Sequence, residues 1–341
     1  MEEKVMGRMV GKQSLAFDNP PYIIEGASIV GKKEGEGPLG KLFDIVKEDP
    51  MMDQDSWEEA ESLLQKEAIS KVLLKSNLNK EDIRYIFAGD LLGQLIASTF
   101  GILEYEIPFF GLYGACSTIG EALSIGAITV DGNNAENVIA LASSHFASAE
   151  RQFRFPLAYG NQRPYAATWT VTGAGAVIIG KNKSFAKITG ITTGKIVDFG
   201  VKDAQNMGAC MAPAAADVIY THFKDFNTKP EDYDKIITGD LGIVGKTILN
   251  DLLRDKGYDI SAKHMDCGIE MFDDSTQDTH AGGSGCGCAA TVLTSYVFKQ
   301  LKKGAWKKIL FIPTGALMSP VSFNEGNSVP GIAHLVQIEA D

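Results

Sequence analysis

Gly111-Leu112-Tyr113-Gly114-Ala115-Cys116-Ser117-Thr118-Ile119-Gly120-Glu121 is a run of mostly small residues carrying one cysteine between two apolar stretches. Before it, Ile107-Pro108-Phe109-Phe110 is short and apolar; after it, Ala122, Leu123, Ile125, Gly126 and Ile128 recur at helical spacing. The pattern predicts a sharp turn from a strand into a buried helix, with Cys116 on the turn as on a nucleophile elbow. Unpaired N–H groups at a helix start favour negative charge, so they are expected to acidify such a thiol or to hold a bound anion. A buried structural cysteine fits the same turn, because free cysteine is among the most buried residue types.

Outward from this turn, the chain repeats itself. Asn77-Leu78-Asn79-Lys80-Glu81-Asp82 leads into Ile83-Arg84-Tyr85-Ile86-Phe87-Ala88-Gly89-Asp90-Leu91, and Asn227 to Leu241 reads the same way at a constant offset of 150 residues, with Asn, Glu, Asp, Ile, Gly, Asp and Leu coinciding. Each copy follows a helix-like segment, Trp57 to Ser76 in the first and Pro213 to Phe226 in the second. The elbow is echoed by Ala281-Gly282-Gly283-Ser284-Gly285-Cys286-Gly287-Cys288, and the buried-strand pattern Asn137 to Ser144 by Lys308 to Gly315. The strand Ala174 to Gly180 is echoed by Gly331 to Ile338. Strands and helices alternating twice in one order predict two stacked α/β halves with a site between them. Residues 1–20 read as a loose polar arm, 21–182 as the first half and 183–341 as the second.

Composition narrows the function. A chain of 341 residues with 45% hydrophobic residues and 36 glycines builds a large, tightly turned core. A net charge of −11 argues against sequence-independent nucleic-acid binding, which needs clustered cations. The five cysteines, at 116, 210, 267, 286 and 288, are odd in number and lack zinc-site spacing, so reduced thiols and no metal site are expected. The N-terminus has no secretory signal, and no apolar run approaches the roughly 18 residues of a transmembrane helix. Synthesis in the cytoplasm, with any membrane association through a partner, is the expectation.

The duplicated layout, with Gly114-Ala115-Cys116-Ser117 and Thr172-Gly173-Ala174-Gly175-Ala176-Val177, resembles the thiolase fold and within it the β-ketoacyl-ACP synthase III branch. That implies duplicated halves in a layered α-β-α-β-α arrangement. A longer segment, Ser143-Ser144-His145-Phe146-Ala147-Ser148-Ala149-Glu150-Arg151-Gln152-Phe153-Arg154-Phe155-Pro156, then Gln162-Arg163-Pro164 and Trp169 to Gly175, resembles the stage V sporulation protein AD family of spore-forming bacteria. The resemblance implies an inactive condensing enzyme that binds dipicolinic acid, free or as its calcium chelate, for uptake into the developing spore. It implies membrane proteins of the same operon as partners and a peripheral place at the spore inner membrane. The fold also implies a homodimer.

Condensing enzymes of this fold pair the cysteine with two polar residues of the second half, commonly a His and an Asn or second His. By the repeat, the first position falls at Gly239-Asp240-Leu241-Gly242 and the second near Gly282-Gly283-Ser284, with His280 in Thr279-His280-Ala281 as a partial substitute. Ionised Asp240 cannot donate a hydrogen bond. If the protein were an acyltransferase, Cys116 with His280 or His145 would carry the reaction; a third reading is an assembly subunit of a membrane channel. A site for the flat dicarboxylate needs cations or N–H donors beside an apolar slot. Arg151, Arg154 and Arg163, near Phe153, Tyr165 and Trp169, supply such an inventory, although surface or interface arginines look the same. Cys116, Ser117, His145, Asp240, His280 and Gly283 complete the candidate ligand-binding set. No cofactor is expected. Asp90 and Asp240, related by the repeat, are expected to shape the same turn twice.

Overall fold

In a computed structural model, residues 8–153 and 163–341 are described. Two five-stranded units carry the fold. From its outer edge inward, the first has strands Phe109–Gly111, Tyr85–Gly89, Asn137–Ser144, Gly173–Gly180 and Tyr22–Gly31; the second has His264–Asp266, Lys235–Thr238, Lys308–Ile312, Leu335–Ala340 and Ala186–Thr192. Strand directions agree between the units. The three outer strands of each run parallel and the two inner ones are antiparallel. The units meet where Tyr22 and Ile23 pair with Lys187 and Ala186.

The repeat reaches down to the caps. Helices Trp57–Ser76 and Met207–Phe226 are each 20 residues long, start on side-chain caps from Ser56 and Asn206, and end on left-handed Asn77 and Asn227. The side-chain oxygens satisfy early N–H groups, and the left-handed residues close the C-termini. The second helix begins earlier than its proline suggested, because the Asn206 cap starts the helix and Pro213 sits inside it.

Two buried helices lie in the middle. The first central helix, Thr118–Asp131, and the second, which starts at Cys286, pack against both units and share one core with Ile179, Val177, Phe311 and Ile338. Strands buried on both faces explain the uninterrupted apolar runs. Helices Trp57–Ser76 and Met207–Phe226 cover the outer faces, giving the α-β-α-β-α order.

Residues 8–20 are not loose. Strands Arg8–Val10 and Ser14–Ala16 form a hairpin that pairs with Ala186–Thr192, and the Ser14 hydroxyl donates to Asp225 at 2.7 Å. Alternation in so short a hairpin is too brief to stand out from a polar arm. Among the described residues, no helix is long and apolar enough to cross a membrane.

Candidate functional site

The elbow forms as the spacing predicts, with strand Phe109–Gly111, a tight turn at Ala115–Ser117, and the first central helix from Thr118. Ala115 is left-handed, with φ 51°. That strain, of order 1 kcal/mol, is held by hydrogen bonds on both sides. The Gly114 carbonyl accepts from Ser117 N–H and hydroxyl at 3.2 and 2.7 Å. The Ala115 carbonyl accepts from the Thr118 hydroxyl at 2.6 Å and the Cys286 thiol at 2.9 Å.

Cys116 stands at the bottom of a cavity of about 350 Å³. Tyr113, Phe153, Met207 and Met318 supply broad apolar walls; Gln152, Thr170, Ser284, Ser319 and Ser322 supply donors and acceptors. The charged group in the lining is Glu150, whose carboxylate accepts from the Thr170 hydroxyl at 2.8 Å. Among the described residues no arginine or lysine lines the cavity, and none of the five histidines does.

Beneath the cavity, the Cys116 thiol hydrogen-bonds to Asp240 and faces the Gly285 N–H. Asp240 accepts from the Thr314 hydroxyl at 2.7 Å and from Gly285 N–H at 3.1 Å. Burial pushes the Asp240 carboxyl up to about 7, against the pull of its hydrogen bonds to Thr314 and Cys116. Burial also pushes the thiol well above its ordinary range, and Asp240 and Cys286 add to that. Of the two outcomes open at the helix start, the thiol is not acidified, because the N–H donors are outweighed by desolvation and a neighbouring acid.

Residues 11–339 match the stage V sporulation protein AD family. Over 332 residues the chain is 44% identical to stage V sporulation protein AD of Bacillus subtilis (strain 168), covering 97% of this chain and 98% of that one. The chain belongs to the stage V sporulation protein AD family. Solved structures of the same fold include 3-oxoacyl-[acyl-carrier-protein] synthase III of Aquifex aeolicus VF5, with TM-score 0.56 and 15% identity over 93% of this chain and 99% of that one. The Acat5 thiolase of Ascaris suum, solved with coenzyme A, gives TM-score 0.58 and 12% identity over 94% and 100%. This member of the sporulation family thus has the thiolase fold.

Its candidate residues do not all converge. Cys116 and Asp240 meet at the cavity floor. Ser117 is buried with its hydroxyl turned back to Gly114, so it builds the elbow. His145 points away: its Nε2 bonds the Pro50 carbonyl at 2.9 Å, its Nδ1 accepts from Ala147 N–H, and its ring lies 5.4 Å from Trp57. Burial holds its pKa down. His280 lies in a separate hollow with Phe272 and Thr279, bonded to the Pro164 carbonyl and 3.1 Å from Asp278. Gly283 pairs with Trp169, and a Cβ there would press on Phe272 and Val171 at 3.1 Å, so its smallness serves packing. Arg163 donates to the Asp278 carbonyl at 2.6 Å and lies over the Trp169 ring. Arg151 is exposed on helix Phe146–Phe153, while its neighbours Glu150 and Gln152 line the cavity. Arg154 lies outside the described residues.

Glu150, Ser284 and Thr314 also serve the site without having been expected there, although they fall within Ser143–Pro156, Ala281–Cys288 and Lys308–Gly315. Ser319, Ser322 and Asp266 do so with no local signal in the sequence.

Proposed function

We propose that this protein is a non-catalytic binder of dipicolinate, taken as its calcium chelate, acting in uptake of that ligand into the developing spore with membrane proteins as partners. The observation that carries the reading is the cavity above Cys116. Its volume falls within the roughly 300–1,000 Å³ of small-molecule sites. Its broad apolar walls suit a flat ring, and its hydroxyls and amide suit carboxylate oxygens. A free dianion would meet Glu150 with like charge, whereas the chelate is neutral and presents a calcium ion that favours carboxylate oxygens. Membership of the sporulation family supports the biological setting. The absence of catalysis is supported by the burial of the Cys116 thiol, which together with the adjacent Asp240 raises its pKa and makes it a poor nucleophile.

Calorimetric titration with dipicolinate, with and without calcium, tests the ligand. Saturable heat is expected with calcium and weaker binding without it; no heat at millimolar ligand in either case removes the reading. Incubation with acyl-CoA followed by mass spectrometry tests catalysis: unmodified protein is expected, and an adduct lost in Cys116→Ala would establish an enzyme.

The homodimer belongs to the same proposal. Strand Phe109–Gly111 is the outer edge of its unit, and Phe109, Phe110 and Tyr113 expose their rings there. An uncovered apolar edge is a template for strand pairing. Light scattering should give a dimer mass, reduced to a monomer in Phe110→Asp; a monomeric unmodified protein would refute it.

A further inference from the structure

The second central helix runs from Cys286 through a π-helical turn, Leu293–Val297, to Lys302. Gly285, at its start, lines the cavity. Its last turn lies about 25 Å along the helix from that start, at 1.5 Å per residue. There the chain reads Lys299-Gln300-Leu301-Lys302-Lys303-Gly304-Ala305-Trp306-Lys307-Lys308, a dense run of lysine in a chain of net charge −11.

Local geometry sorts these lysines. Phe298 and Leu301 are buried, so helical spacing sets Lys299, Lys302 and Lys303 on the outer side. Gly304, left-handed at φ 68°, ends the helix, and Trp306 packs edge-on against Tyr296 to hold the following turn. Lys302 is paired with Glu25 at 2.8 Å and Lys308 with Glu339 at 3.3 Å. Lys299, Lys303 and Lys307 are exposed and make no ion pair with a described residue. The Asp234 carboxylate nearby is turned to the N–H groups of Lys307 and Lys308, at 2.6 and 3.0 Å.

We propose that this lysine turn seats the protein on an anionic lipid surface, with the ligand cavity at the other end of the same helix. Charge complementarity chooses the occupant. Flexible, strongly hydrated ammonium groups on an exposed turn match a field of headgroups, while a single bound phosphate would call for a concave, forked arrangement. Leu301 is buried and Trp306 half-buried, so nothing apolar inserts and attachment is electrostatic. The inference does not depend on which ligand fills the cavity.

Co-sedimentation with vesicles of mixed phosphatidylglycerol and phosphatidylcholine, compared with phosphatidylcholine alone, tests it. The protein should pellet with the anionic vesicles at low salt and be released as salt rises. Combined Lys299→Glu, Lys303→Glu and Lys307→Glu should weaken partitioning about a hundredfold, at roughly tenfold or less per lysine, with the circular dichroism spectrum and dipicolinate titration unchanged. No pelleting, equal pelleting with both lipids, or equal pelleting of the variant would overturn the proposal; an altered titration with normal vesicle binding would instead concern the cavity.

Discussion

Asp90 and Asp240 hold equivalent places in the two halves and do different things. Asp90 serves its own turn, accepting from Leu92 N–H at 2.8 Å and from the Ser98 N–H and hydroxyl at 2.8 and 2.6 Å. Asp240 reaches across to Gly285, Thr314 and the Cys116 thiol. The turn that carries Asp240 is held by another acid. Asp266, at the end of strand His264–Asp266, accepts from Leu241 and Gly242 N–H groups at 2.9 and 3.0 Å and from the Thr238 hydroxyl at 2.6 Å. Handing turn-building to Asp266 leaves Asp240 available to the cavity floor. A repeated residue therefore need not keep a repeated role, contrary to the expectation of two equal turns.

The comparison breaks first at Asp266. Asp266→Ala should strand several buried donors at once and cost about 3–5 kcal/mol, read as a lower denaturant midpoint; a cost below about 1 kcal/mol would mean the turn holds itself. Asp90→Ala, stranding a similar set, should cost about 2–3 kcal/mol yet leave ligand titration unchanged, because its bonds stay within its own turn.

Asp240→Asn separates the halves chemically. Removing the acid beside Cys116 should speed alkylation by iodoacetamide about tenfold, the effect of one pKa unit, followed by mass spectrometry of the Cys116 peptide. An unchanged rate would show that burial alone protects the thiol.

The smallest expected effect is on pH dependence. Asp240 and buried Glu34 are each pushed by burial to about 7. A carboxyl raised in the folded state binds its proton more tightly than the unfolded chain does, so its stabilising contribution is full below about pH 4 and falls as pH rises through about 7. Stability should decline between about pH 4 and 7 by of order 1 kcal/mol per pH unit for each group and level off above, with a shallower decline in Asp240→Asn, measured by denaturant titration at each pH. A rise over that range would contradict these protonation states.

Much of the fold was legible because its repeat is local. The 20-residue helices, their left-handed Asn77 and Asn227 ends and the following strands are encoded by nearby residues, so one copy validates the other. The elbow was legible for the same reason. The site was only half legible. Ser319 and Ser322 share the cavity lining with Cys116 only because the chain beyond strand Lys308–Ile312 carries them there. His145 and His280 misled because their partners, Pro50 with Trp57 and Pro164 with Asp278, include groups far away in sequence. The thiol's state depended on burial, which a turn motif does not encode.

Blocking the cavity tests the central claim most directly. Ser322, half-buried in the cavity wall, can become tryptophan without disturbing the core. Calorimetric titration of wild type and Ser322→Trp with calcium dipicolinate should show saturable binding in the first and a loss of about a hundredfold or more in the second, at unchanged melting temperature. Equal binding by both proteins would place the ligand elsewhere and contradict the account.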